Sequence, residues 1–203
     1  MARDAVLLTG FEPFLDVTLN PSGEVARALD GAELGAAGTG STVTGRVLPV
    51  TFAGAPGALD AALDAVGAPP ALVLCLGVHR GPSFRLETRA GARFESDQAD
   101  NDGMRGAGLE LDGPEWRTSP FDVPGRCAAA LAEAGAAEVT VSDDAGGYLC
   151  ERVYRAALDR ADERGFPALF LHVPPVGFVG VEEQARVVLG FLARLLQGGA
   201  ASA

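Results

Sequence analysis

Apolar positions along this chain follow two rhythms. Short runs rich in Val and Leu at 5–9, 46–50, 72–76 and 168–173 predict strands buried on both faces, and 138–141, which alternates polar and apolar, predicts a shorter fifth. Between them, 23–29, 58–66, 125–133, 150–164 and 181–196 repeat their apolar residues at helical spacing, the last being the most clearly amphipathic. Strands that alternate with helices and are apolar on both faces predict a three-layer α/β/α fold, a mostly parallel but mixed twisted sheet covered on each side. A single domain over 1–203 is expected. The segment 84–123 breaks the rhythm, being polar, rich in Gly and Asp, and without helical period. Loops longer than about 15 residues in compact domains usually have a function, so 84–123 is expected to be an irregular excursion partly covering the active site. It has strand-like pieces such as 84–89, and the part after Glu87 is a candidate antiparallel addition to the sheet. The Gly- and Ala-rich residues 197–203 read as a frayed tail.

Composition narrows the function. The chain has 203 residues, 48% of them hydrophobic, enough to bury a core without cross-links or metals. Its 27 acidic and 16 basic residues leave a net charge of −11, and the basic residues are scattered, which argues against nucleic acid or an anionic membrane as partner. No run approaches the roughly 18 apolar residues of a membrane span, and the apolar run 5–8 is too brief for a signal-peptide core, so a cytoplasmic location is expected. Cys75, Cys127 and Cys150 are odd in number and form no CxxC pair, which suggests neither a disulfide framework nor a metal site. Neither GxGxxG nor GxxxxGK[ST] is present, and no cofactor is expected. Cys75, in an apolar run, and Cys127, among alanines, read as buried and inert thiols.

Cys150 has different neighbours. The stretch Ser142-Asp143-Asp144-Ala145-Gly146-Gly147-Tyr148-Leu149-Cys150 joins a strand to a helix and puts the thiol in the first helical turn. There the free N–H groups and the positive end of the dipole favour a thiolate, lower the thiol pKa and offer an oxyanion site. A packed cysteine after an ordinary Gly turn is the plain alternative. A thiol nucleophile needs a base, and the chain holds only His79 and His172. His172 ends an apolar run before Val173-Pro174-Pro175, at the carboxyl end of a strand, where open α/β sheets build their sites. His79, in Gly77-Val78-His79-Arg80-Gly81, reads as a solvated loop residue. The imidazole needs an acceptor to fix its tautomer. Glu87, in a strand-like setting, is the choice, with Asp143 and Asp144 as alternatives that composition does not separate from it.

Three ordered motifs carry a resemblance over nearly the whole chain: Thr9-Gly10-Phe11-Glu12-Pro13-Phe14 with Asn20-Pro21-Ser22, then Asp144-Ala145-Gly146-Gly147-Tyr148-Leu149-Cys150, then Phe170-Leu171-His172-Val173-Pro174-Pro175 with Gln184 beyond. In these the chain resembles the pyroglutamyl peptidase I family of cysteine peptidases. The resemblance implies a Cys-His-Glu triad at Cys150, His172 and Glu87, hydrolysis of the bond after an N-terminal pyroglutamate, and a homo-tetramer. It also implies that Phe11 and Phe14 bind the pyroglutamyl ring. That role is physically sensible, because two phenyl faces suit a flat neutral lactam and leave the ammonium of an ordinary N-terminus without a counter-charge. In this sequence Glu87 is followed by Thr88 and Arg89, where many bacterial relatives have Arg directly after the Glu, and 77–82 also departs from the usual loop. Two rivals share the scaffold: another thiol amidase of glutaminase type, and a binding domain without catalysis. The aromatic Phe11-Glu12-Pro13-Phe14 loop, with only Glu12 charged, disfavours the first, and the intact Cys150 and His172 disfavour the second.

Overall fold

A computed structural model describes residues 5–15, 17–35 and 40–197. The tail expected to fray lies outside the described residues from 198 onward, and Gln197 ends the last helix. In chain order the elements are β1 (Ala5–Phe11), α1 (Pro21–Ala28), β2 (Glu33–Leu34), β3 (Ser41–Leu48), α2 (Gly54–Val66), β4 (Leu72–Val78), β5 (Phe84–Glu87), β6 (Arg89–Gly91), β7 (Trp116–Thr118), a π-helical turn (Val123–Cys127), α3 (Ala128–Glu133), β8 (Val139–Ser142), α4 (Leu149–Arg164), β9 (Ala168–Val173) and α5 (Val181–Gln197).

Seven strands form one mixed sheet in the order β2-β3-β1-β4-β9-β5-β8. The pairs β1–β3, β1–β4, β4–β9 and β5–β8 are parallel, while β2–β3 and β5–β9 are antiparallel. Period-two alternation divides the core between the two faces. Val6 and Leu8 of β1 point with Leu169 and Leu171 of β9 toward α1, α3 and α5, whereas Leu7, Val73, Cys75 and Phe170 point toward α2 and α4. This is the expected three-layer α/β arrangement. The antiparallel strand beside β9 comes not from the part after Glu87, as expected, but from the opening four residues of the 84–123 stretch, which form β5.

Several boundaries differ from the sequence reading for local reasons. Helix α1 begins two residues earlier than expected, because Asn20 caps it by accepting from the Ser22 N–H and Pro21 occupies the first turn, where no N–H is needed. Strand β3 starts earlier than 46 and stops at Leu48, ahead of Pro49, which has no N–H to give the ladder. The expected helix 125–133 splits into the π-helical turn and α3, with the Asp122 carboxylate accepting from the Gly125 and Arg126 N–H groups.

Candidate active site

The carboxyl ends of β4 and β9, the antiparallel β5 and the N-terminus of α4 meet on the α2/α4 side of the sheet. In β9, Leu169, Leu171 and Val173 join the opposite core, which leaves Phe170 and His172 on this side. In β5, Phe84 and Leu86 do the same and leave Arg85 and Glu87 here. Arg85 stands opposite His172 in the ladder, and Gly77 of β4 flanks His172 on the other edge. A β-carbon on Gly77 would lie 2.7 Å from Cys150 Sγ, 2.9 Å from Phe170 Cζ and 3.1 Å from His172 Cδ2. Its missing side chain is therefore the space in which thiol and imidazole approach each other, and only Gly provides it.

Cys150 is the second residue of α4, as the Gly-Gly turn predicts. Gly146 and Gly147 take φ of 99° and 62°, left-handed values that suit Gly, and so bring the chain sharply into the helix. Two carboxylates hold that turn. Asp144 Oδ1 accepts from the Gly146 N–H at 2.8 Å. Buried Glu151 accepts from Gly147 N–H at 3.4 Å and from Gly91 N–H of β6.

His172 is buried, and its Nδ1 lies 2.8 Å from Oε1 of the fully buried Glu87. A carboxylate only accepts, so Nδ1–H donates and Nε2 is left as the lone-pair nitrogen. Arg85 Nε donates to the same Oε1 at 2.8 Å, and among the described residues Glu87 Oε2 has no hydrogen-bond partner. The Tyr154 hydroxyl donates to the Glu87 carbonyl at 3.0 Å, bracing β5 against α4. The alternatives to Glu87 are engaged elsewhere: Asp143 pairs with Arg89 at 2.8 Å, and Asp144 holds the Gly turn.

The electrostatics correct one expectation. The helix N-terminus favours a thiolate, but burial, helped by the charge of Glu87, pushes the Cys150 thiol up to about 12, with Arg85 pulling the other way. Burial also lowers His172, reinforced by Arg85 and His79 and opposed by its hydrogen bond to Glu87. Both shifts favour the uncharged forms, thiol and neutral imidazole. Cys75 and Cys127 are buried, with thiols pushed up to about 12 and about 11 by desolvation, as inert cysteines should be. His79 departs from the solvated residue expected of it: half-buried, it lies with Nε2 2.5 Å from the Ser83 carbonyl and Nδ1 accepting from Gly81 N–H at 3.3 Å. Its ring stands 5.9 Å from that of His172 and fastens the turn after β4.

Of the two Phe residues drawn from the resemblance, Phe11 is 4% exposed and packs in the core beneath α2, its N–H donating to Ser22 Oγ. Phe14 is half-buried and lies 6.4 Å from the ring of Tyr148, two residues before Cys150. Tyr148 continues edge-on to Phe52 at 5.5 Å, and Phe52 to Phe94 at 5.9 Å. The 92–115 stretch is clipped over this aromatic row. Asp100 accepts from the N–H groups of Phe52, Asp102 and Met104, and Asn101 donates to the carbonyls of Val50 and Pro13. Sequence reasoning missed Gly77, Arg85, Tyr148 and Glu151 as parts of this constellation. For Arg85 a signal existed, since it is two residues from Glu87 in a strand and must share its face.

Comparison with known proteins identifies the family and the fold. The sequence profile of a family described as pyroglutamyl peptidase matches residues 4–188. A pyrrolidone-carboxylate peptidase of Chromobacterium violaceum is 35% identical over 174 residues, covering 83% of this chain and 77% of that one. Its counterpart in Pyrococcus furiosus is 32% identical over 174 residues, covering 83% and 80%. Among solved structures, a pyrrolidone carboxyl peptidase from Thermococcus litoralis superposes with a TM-score of 0.84 at 25% identity, over 98% of each chain.

Proposed function

The chain belongs to the pyroglutamyl peptidase family, and on that premise we propose that it hydrolyses the amide bond after an N-terminal pyroglutamyl residue, with Cys150 as nucleophile, His172 as base and Glu87 as the group that orients the base. The observation that carries the reading is the convergence of Cys150 Sγ and the His172 ring on Gly77, with Glu87 Oε1 2.8 Å behind the imidazole.

As Sγ attacks the carbonyl carbon of the scissile pyroglutamyl amide, the thiol proton passes to His172 Nε2. The imidazolium so formed is supported by Glu87 through Nδ1–H. The carbonyl oxygen takes up the negative charge and faces the N–H groups of the first turn of α4, which have no partner within the helix. Collapse breaks the C–N bond, the leaving amine takes the proton from His172, and a thioester remains on Cys150. Water then gives a proton to His172, attacks the thioester carbon, and releases pyroglutamate as Sγ recovers its proton.

Phe14, with Tyr148 beside it, is the aromatic surface we assign to the lactam ring, and Phe11 supports the same loop from the core. A charged N-terminus is excluded because its ammonium would lose hydration against these rings without gaining a counter-charge. We also assign the chain to the cytoplasm and to a homo-tetramer. The motif resemblance supports the tetramer. No described helix is long and apolar enough to cross a membrane.

The test is release of a fluorophore from a pyroglutamyl amide by the purified protein and by Cys150→Ser. The wild type should turn over. The serine variant should lose about a thousandfold or more in kcat with its melting temperature retained, because a hydroxyl is far less acidic than a thiol. Near-normal turnover in Cys150→Ser would remove the nucleophile.

A further inference from the structure

Arg85 is unexplained by the triad. It faces His172 across the β5–β9 ladder, donates through Nε to Glu87 Oε1 at 2.8 Å, and brings Nη2 to 3.4 Å from His172 Nδ1. Since Nδ1 already carries a hydrogen directed at Glu87, it has no lone pair for Nη2. That contact is a positive charge held against the ring, while the Nε contact is a charge-assisted bond on the same carboxylate oxygen that His172 uses. With both donors on Oε1 and, among the described residues, none on Oε2, Arg85 and His172 share one acceptor. We infer that Arg85 is a positioning residue of the site, fixing the Glu87 carboxylate for His172 and, by its charge, keeping the imidazole unprotonated between turnovers.

Every charged or titratable group that faces His172 enters this balance. Arg85 and Glu87 come from β5, His79 from the turn after β4, and Cys150 from α4. Of these, Glu87 alone favours the imidazolium at neutral pH. Arg85 is 28% exposed, so its charge is partly screened but not lost to solvent. The opposition has a chemical use. A base that is already protonated cannot take the thiol proton, and a Glu87 unopposed at 2.8 Å would hold a proton on His172 at higher pH.

The inference rests on the triad assigned above, and its test separates the two. The chain has two histidines, so the imidazole resonances of isotopically labelled protein resolve into two titrations, with His172 identified by its loss in His172→Ala. In Arg85→Gln the His172 midpoint should rise by about 0.5–1 pH unit relative to wild type. Arg85→Met removes the same charge while keeping the aliphatic stem, and should give the same shift should the Gln variant fold poorly. Arg85→Lys keeps the charge and should stay near the wild-type midpoint. The acid limb of kcat/KM for a pyroglutamyl amide should move with it, giving about a 3- to 10-fold loss below the midpoint and little change near pH 8. A midpoint that is unmoved or lowered in both charge-free variants overturns the inference and leaves Arg85 a structural brace, for which only the melting temperature should change. An inactive wild type would instead sink the peptidase reading, and the His172 titration would still decide the role of Arg85.

Discussion

At the scale of single residues, the site is a set of opposed influences on one imidazole. Glu87 raises the proton affinity of His172, while burial, Arg85 and His79 lower it. Glu87→Gln keeps an oxygen that can accept from Nδ1–H but removes the charge that supports the imidazolium. It should lower kcat by about 10- to 1,000-fold while KM changes little, a smaller loss than in His172→Ala, where the base itself is gone. The sign of the accompanying pH effect is fixed. Without the carboxylate charge the proton on His172 is held less tightly, so the acid limb moves to lower pH, the opposite of the Arg85→Gln expectation. Kinetics across pH 5–9 check both points. If Asp143→Asn or Asp144→Asn reproduces the defect and Glu87→Gln does not, the third member has been misassigned. The places of Cys150 at the start of α4 and of His172 near the end of β9 were legible in the sequence, because Gly146-Gly147 and Pro174-Pro175 mark those boundaries. Gly77 was not, because its importance lies wholly in what approaches it from α4 and β9.

At the scale of elements, the 84–123 stretch contains three distinct parts. Its start is β5, an interior strand of the main sheet. The segment around β6 and β7 forms a two-stranded ribbon packed on α4, with Arg117 paired to Asp159 of that helix at 2.9 Å. Between these two strands lies the loop over the aromatic row, held by the three N–H bonds of Asp100. Hydrogen bonds to a charged acceptor contribute about 1.5–3 kcal/mol, so Asp100→Ala should raise the open population of this loop by about tenfold or more. Limited proteolysis should then cut within 95–107 faster, the Phe52 amide should exchange faster, and KM should rise more than kcat falls. Unchanged cleavage in the variant would show that the Asn101 bonds to Val50 and Pro13 suffice to hold the loop. The helices were the more readable elements, since caps and amphipathic spacing are local. The ribbon was not, because β6 and β7 have three residues each and are separated by the whole loop.

At the scale of the molecule, several large apolar side chains stay exposed: Leu15 and Leu19 in the loop after β1, Val141 on the edge strand β8, and Val176 and Phe178 just beyond β9. Scattered exposed apolar residues are ordinary, yet these are the surfaces that assembly would cover in the tetramer we assign. Sedimentation equilibrium should give four times the chain mass at micromolar concentration, and a monomer there would withdraw the assignment. What the sequence determined by itself was whatever depends on neighbours along the chain. Strand and helix periods, the Asn20-Pro21 and Gly146-Gly147 signals and the burial of Cys75 and Cys127 all follow from local sterics and from how apolar residues partition. What only the tertiary structure decided was the order of strands. Nothing local in β4 or β5 says that β9, formed some eighty residues later, inserts between them. That insertion sets His172 between Gly77 and Arg85, brings Glu87 to its Nδ1 and leaves room for Cys150. It arises because β9 is apolar on one face and carries Phe170 and His172 on the other, so it is buried best at the centre of the sheet, a preference that pairing across the whole chain alone can satisfy.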